Sequence, residues 1–216
     1  MVESGWKIVC AYYQDEQSDK WIPYSVMRGQ ASLASGAKSE GQFGTGAFKV
    51  HLTGQGGSIS PWHDVNPVVS EDKQTFNMVV EIPALTAAKL EVNKEVRGNP
   101  IMQDTNKDGS PRFFTYGTPF FNYGLLPQTW EDNEHANADG YFGDNDPLDV
   151  VEVGEGSLPI GSVVEVKVLG AIELIDEGEI DYKAVVIRAS DPIAAKVNNM
   201  RVTLFAPSFV PVLDCR

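Results

Sequence analysis

The sequence predicts a mainly β fold closed into a small barrel, on three observations. Strand-like runs at 148–153, 162–169, 170–175 and 182–187 follow one another at short spacing. Gly- or Pro-bearing turns separate the earlier strands. No helical pattern alternates with these runs, as a doubly wound parallel sheet would require. At 216 residues, 42% hydrophobic and 22% charged, the chain has the size and composition of one globular domain with extensions.

Composition also narrows the function. A net charge of −13 disfavours nucleic acid and anionic membrane surfaces, which reward basic patches, and suits solubility and cation binding. Cys10 and Cys215 lie at opposite ends with no zinc-type spacing and no disulfide framework, and His51, His63 and His135 stand apart from any Cys/His cluster. No run reaches the about 18 apolar residues of a membrane span. Acids at Glu3, Asp15, Glu16 and Asp19 suit neither a secretory nor a transit peptide, so a cytoplasmic setting is expected.

Residues 1–44 read as an N-terminal extension that passes through the small-residue stretch 29–40, a flexible linker by composition. From Thr45 the texture becomes that of a folded domain, 45–199. Residues 48–52 alternate like a strand, a Gly-rich turn follows at 54–57, and Pro61 marks an irregular segment. The run 76–82 puts Phe76, Met78, Val80 and Ile82 on one face and Glu81 on the other. In 88–93, Leu90 and Val92 share one face, with Lys89 and Glu91 together on the opposite one. That polar face is equally compatible with simple solvation. Asp104-Thr-Asn-Lys-Asp-Gly109 opens like a calcium loop, but Thr115 occupies the position where such a loop needs Glu, so a hairpin turn is the better reading. Asp191-Pro192 opens like a helix, with Asp as the cap.

Two acidic stretches carry the functional signal. Asp144, Asp146 and Asp149 fall within six residues, and unpaired carboxylates so close would raise one another's pKa values, so a positive partner is expected. With only oxygen donors, a hard divalent cation is suitable, although a solvated acidic loop has the same composition. Asp176 and Asp181 flank Gly178, whose tight turn brings them to one end of a hairpin, and Asp181 and Lys183 share a face by alternation. Two such turns with Glu91 could ligate more than one Mg2+, an arrangement suited to in-line phosphoryl chemistry. Lys89, Arg112, Tyr123 and Lys183 lie close in sequence to these acids, and such groups can bind phosphate.

Gly143-Asp-Asn-Asp-Pro-Leu-Asp-Val150 resembles the signature of the family I soluble inorganic pyrophosphatases. The stretches 60–64, 76–83, 88–91, 99–105, 122–124, 127–132 and 176–179 resemble the eukaryotic branch in order, from about Thr45 to Asn199. The resemblance implies a five-stranded OB-like barrel with a few helices (an α+β variant of a mainly β fold), Mg2+-dependent hydrolysis of pyrophosphate to two phosphates, and commonly a homodimer. It implies metal ligation by Asp144, Asp149 and Asp181 for the tightest ions, with Asp149 bridging two, and by Glu91, Asp176 and Asp181 for ions arriving with substrate. Asp146, also among the implied metal ligands, would orient and deprotonate an attacking water held between two metals, Glu81 would support, and Lys89, Arg112, Tyr123 and Lys183 would hold the phosphates and stabilise the leaving group. Two departures stand out. The stretch before Asn122-Tyr-Gly is shortened to 117–121, and residues 200–216 resemble nothing in the family, so a truncated or divergent tail is expected. The alternative reading is a catalytically impaired, metal-binding isoform that acts by dimerising.

Overall fold

The structure, a computed structural model, describes residues 12–15, 20–23, 36–70 and 75–200. Strands β1 (Tyr12–Asp15) and β2 (Lys20–Pro23) form an antiparallel hairpin of their own. The stretch expected to be a linker is described from Gly36, and there it is a strand. β3 (Gly36–Glu40) pairs antiparallel with β4 (Lys49–Gly54), all its residues exposed. Composition did not signal this, because an edge strand needs backbone hydrogen bonds from its neighbour rather than apolar side chains. β4 also pairs with β5 (Gly57–Ile59), across the expected Gly-rich turn, and with β9 (Ile101–Gln103), which pairs with β8 (Leu90–Val92).

The second sheet closes on itself. β7 (Thr75–Ile82) pairs along its first half with β12 (Val163–Asp176) and along its second half with β10 (Asn122–Leu125). β10 pairs with β11 (Asp149–Glu152), β11 runs parallel to β13 (Glu179–Arg188), and β13 returns antiparallel to β12. These five strands form a ring, the expected OB-like barrel, with β6 (Val68–Ser70) added beside β7. The runs 162–169 and 170–175 are one strand, not two, with the register shifting between Val168 and Gly170. A bulge lets one long strand bend around a small barrel where two short strands were expected.

β7 is also more buried than a one-faced strand. Met78 and Val80 join Val150, Val166, Ala184 and Val186 from the other ring strands, while Val79 packs outward with Leu52, Leu90, Ile101 and Leu125 beneath the smaller sheet. The strand therefore lies between two cores, and Glu81 is only 3% exposed. A third cluster of Leu169, Ile187, Ala194 and Val197 takes in Met200. The helix expected from Asp191 is instead a succession of turns. Asp191 does cap them, accepting from Ile193 N at 3.0 Å, but the backbone bonds run three residues back, Ala194 to Asp191 and Lys196 to Ile193. Its other carboxylate oxygen holds Glu155 N at 2.8 Å, which ties the cap to a loop. Among the described residues no helix is long and apolar enough to cross a membrane.

Ring closure depends on a close backbone approach. A Cβ at Gly124 would lie 1.9 Å from the Val79 carbonyl oxygen, so β10 can meet β7 only with glycine there. Gly124→Ala is expected to lower stability by about 1–3 kcal/mol, read as a lower urea midpoint at unchanged m-value. An unchanged midpoint would show that the closure tolerates a side chain.

Candidate active site

The ends of the barrel strands and the loops leaving them surround a cavity of about 550 Å3. Its lining includes Glu81, Lys89, Glu91, Arg112, Tyr123, Asp144, Asp146, Asp149, Asp176, Asp181 and Lys183, so the candidates drawn from separate stretches of sequence converge on one place. The parallel register of β11 and β13 sets Asp149 opposite Lys183, and alternation along β13 puts Asp181 on the same side as Lys183. The Lys183 Nζ lies 2.7 Å from Asp149 Oδ2, 2.8 Å from Asp181 Oδ2 and 2.9 Å from the Tyr123 hydroxyl. Tyr123 itself donates to Asp149. Glu177 (φ 49°) and Gly178 (φ 95°) form the tight turn that returns β12 into β13, with Asp176 opposite Glu179.

The turn 143–146 is docked by its backbone. Asn145 N donates to the Glu131 carbonyl at 3.0 Å, and Glu131 N donates to the Asp146 carbonyl at 2.8 Å. A Cβ at Gly143 would lie 2.4 Å from the Glu131 carbonyl carbon, so the glycine permits the approach. Asn145 takes a left-handed φ of 67°, and its side chain accepts from Trp130 Nε1 at 2.9 Å. Asp144 Oδ1 accepts from Asp146 N at 2.9 Å. Asp146 reaches Lys94 Nζ at 3.0 Å.

Lys89 and Arg112 stand on a second wall. Lys89 Nζ lies 3.0 Å from Glu91 and 3.1 Å from Asp104, and Arg112 meets the same Asp104 oxygen at 3.0 Å. The buried Gln103 donates to the carbonyls of Lys89, Asp104 and Arg112 at 2.7–3.1 Å, holding the three segments together. The polar face of the 88–93 strand is therefore part of the cavity rather than merely solvated. Sequence reading missed Asp104, Gln103, Lys94 and Glu131. Asp104 was absorbed into a turn motif, and although Gln103 and Glu131 fall in stretches that carry the resemblance, their roles depend on partners from distant parts of the chain.

Electrostatics follow from the crowding. Burial, and then the charge of Asp149, hold the Glu81 carboxyl well above the usual range, although its Oε1 accepts from Val92 N at 2.6 Å. Burial and then Asp144 push Glu131 up to about 9, and burial and then Asp146 push Asp144 up to about 6. Burial also raises Asp149 and is only partly offset by Lys183. Burial, followed by the charge of Asp149, keeps the Tyr123 hydroxyl protonated well above its ordinary value. For Lys183 burial alone would lower the value, but Asp149 and Asp181 outweigh it and keep the ammonium charged.

The donor set fits hard divalent cations. All donors are carboxylate oxygens, ligand atoms of Glu131, Asp144 and Asp181 lie within 4.8 Å of one another, and Glu131 Oε2 is buried with no hydrogen-bond partner. Such repulsion is relieved by a proton or by a cation.

Residues 78–209 match the model of the inorganic pyrophosphatase family, a match that runs past residue 200 into the stretch read as divergent. The chain is 46% identical over 158 residues to the inorganic pyrophosphatase of Candida albicans, covering 71% of this chain and 54% of that protein. It is 50% identical over 151 residues to soluble inorganic pyrophosphatase 6, chloroplastic, of Arabidopsis thaliana, covering 69% and 49%. The chain thus spans about half the length of these curated relatives. Among solved structures it resembles the type I inorganic pyrophosphatase of Toxoplasma gondii, with TM-score 0.73, 43% identity and 78% and 75% of the two chains covered. It also resembles an N-terminally truncated vacuolar soluble pyrophosphatase of Trypanosoma cruzi in complex with PPi, with TM-score 0.74, 34% identity and 80% and 71% covered. A ring of β7, β10, β11, β13 and β12 that gathers carboxylates and cations at one mouth, matched by family and by structure, makes this chain a member of the inorganic pyrophosphatase family.

Proposed function

We propose that the protein hydrolyses inorganic pyrophosphate to two phosphates with the help of Mg2+. The observation that carries this reading is the single cavity that Lys89, Arg112, Tyr123 and Lys183 share with the carboxylates of Glu91, Asp144, Asp146, Asp149, Asp176 and Asp181. Family membership and a relative crystallised with PPi support the same substrate. A cytoplasmic setting and a homodimer belong to the reading as well.

Asp144, Asp149 and Asp181 would hold the tightest ions, and Glu91 and Asp176 would share those that come with substrate. When bound, Mg2+ supplies Lewis-acid charge and makes water a stronger nucleophile at neutral pH. Asp146, on the docked turn and paired among the described residues only with the half-exposed Lys94, orients the attacking water and accepts its proton. Lys89 and Arg112, both aligned by Asp104, bind phosphate oxygens. Lys183 and the protonated Tyr123 hydroxyl donate to the leaving phosphate, where negative charge grows as the bridging bond breaks. Glu81 holds the backbone of Val92, next to Glu91, in place.

Asp146→Asn is expected to lower kcat for phosphate release at saturating Mg2+ by about 10²–10⁴-fold, the usual contribution of a general base. Unchanged release would reject this role, and no release from the unsubstituted chain under metal saturation would leave the non-catalytic, metal-binding reading.

The raised carboxyl groups also predict a pH dependence. With Asp144 at about 6 and Glu131 at about 9, the folded metal-free protein keeps protons that the unfolded chain releases near pH 4. More protons bound when folded means that stability falls as pH rises through that window. In EDTA, Tm is expected to fall from about pH 5 to about pH 9, with Mg2+ reducing the fall by replacing the protons. A flat or rising profile in EDTA would contradict it.

A further inference from the structure

The barrel core is not covered along its whole length. β12 pairs with β7 only over Val163–Lys167, and from there to Asp176 it pairs with β13 alone. Among the described residues, its other edge carries no strand beyond Lys167. A mostly apolar cavity of about 430 Å3 opens at this place, lined by Gly170 and Ala171 of β12, Ile180 of β13 and Tyr141 of the loop that follows Glu131. Leu126 and Ala184 on its wall belong to the barrel core itself. Apolar walls offer water few partners, so an open cavity here leaves core surface without the burial that stabilises the rest of the barrel.

A stretch of chain long enough to cover the opening leaves beside it. Met200, the last described residue, packs with Leu169, Ile187, Ala194 and Val197, and a Cβ at Gly170 would lie 2.4 Å from its sulfur. The same Gly170 forms part of the cavity wall. Residues 201–216 lie outside the described residues, and sixteen residues reach up to about 50 Å when extended, far more than a cavity of this volume measures across. Their composition suits an apolar site. Val202, Leu204, Phe205, Phe209, Val212 and Leu213 are large and apolar, and Asp214 is the only acid, in a chain whose net charge is −13. Burying so few charges costs little hydration, and aromatic side chains bring the most apolar area per residue. A segment tethered at the rim also avoids the loss of translational freedom that a separate molecule would meet.

We propose that segment 202–213 of the same chain docks in this cavity, with Leu204, Phe205 and Phe209 inserted against the apolar wall. The docked segment covers the barrel core beside the unpaired edge of β12. It also braces the part of β12 that ends at Asp176, which lines the catalytic cavity.

Photochemical cross-linking of the full chain tests this, with a benzophenone side chain placed at Phe205 or at Phe209. Irradiation is expected to give a cross-link within one chain, of monomer mass under denaturing conditions, that maps to peptides containing Leu126, Ala171 or Ile180. A cross-link that joins two chains overturns the proposal, as does one that maps elsewhere or the absence of any from either position. The dye ANS gives a second reading, because it binds exposed apolar surface. A variant combining Leu204→Ser, Phe205→Ser and Phe209→Ser is expected to raise ANS emission several-fold at unchanged far-UV circular dichroism, and unchanged emission from that folded variant overturns the proposal. If the variant does not fold, the cross-link map decides. Neither reading involves phosphate release, so the docking and the pyrophosphatase reading stand or fall separately.

Discussion

The parallel alignment of Asp149 on β11 with Lys183 on β13 is the contact on which both fold and site depend. β11 and β13 are the only parallel neighbours in the ring, and the other ring contacts are antiparallel. A slip of one residue would turn Lys183 and Asp181 to the opposite face and put Ala184 in their place. The apolar alternation of β13, with Ala184 and Val186 in the barrel core, resists that slip. Hydrophobic burial on one face therefore sets the charge constellation on the other.

The constellation is under tension that the protein manages in pieces. Lys183 neutralises Asp149 and Asp181, Lys89 serves Glu91 and Asp104, and Lys94 meets Asp146. Each such pair loses hydration and recovers it only with good geometry. Asp144 and Glu131 have no cation of their own among the described residues, and theirs are the carboxyl groups pushed up to about 6 and about 9. A proton at such fixed, crowded oxygens relieves the repulsion that a hard cation would otherwise offset. The same lysines and Arg112 that balance acids in the protein alone have the chemistry to meet phosphate.

Backbone closeness does as much as charge. Gly124 admits the β7–β10 contact and Gly143 admits the turn onto Glu131, while Asn122 joins three segments from a fully buried position. Its Oδ1 accepts from Ala84 N and Leu158 N, and its Nδ2 donates to Glu152 and to the Gly156 carbonyl. Glu152, equally buried, accepts hydrogen bonds from Gly154 N and Arg188 N. This network anchors the Asn122 end of β10 and the Glu152 end of β11, the strands that carry Tyr123 and Asp149 to the cavity.

By itself, the sequence determined the class of fold and singled out the acidic and basic side chains that line the candidate cavity. Period-two alternation in 76–82 and 182–187 marks strands because one face must leave water, and clustered acids such as Asp144 to Asp149 announce their charge within a few residues. Glycine turns at 54–57 and at Gly178 were legible because few other residues adopt those angles. Only the tertiary structure decided the rest. The edge strand 36–40 depends on β4 for its hydrogen bonds, and the bend that makes β12 one strand depends on ring closure. Asp191 caps turns rather than a helix where its carboxylate is shared with Glu155. Glu131, Gln103, Asp104 and Lys94 gain their meaning from partners brought close in space, and a residue's local neighbours carry no record of a field set by groups far along the chain.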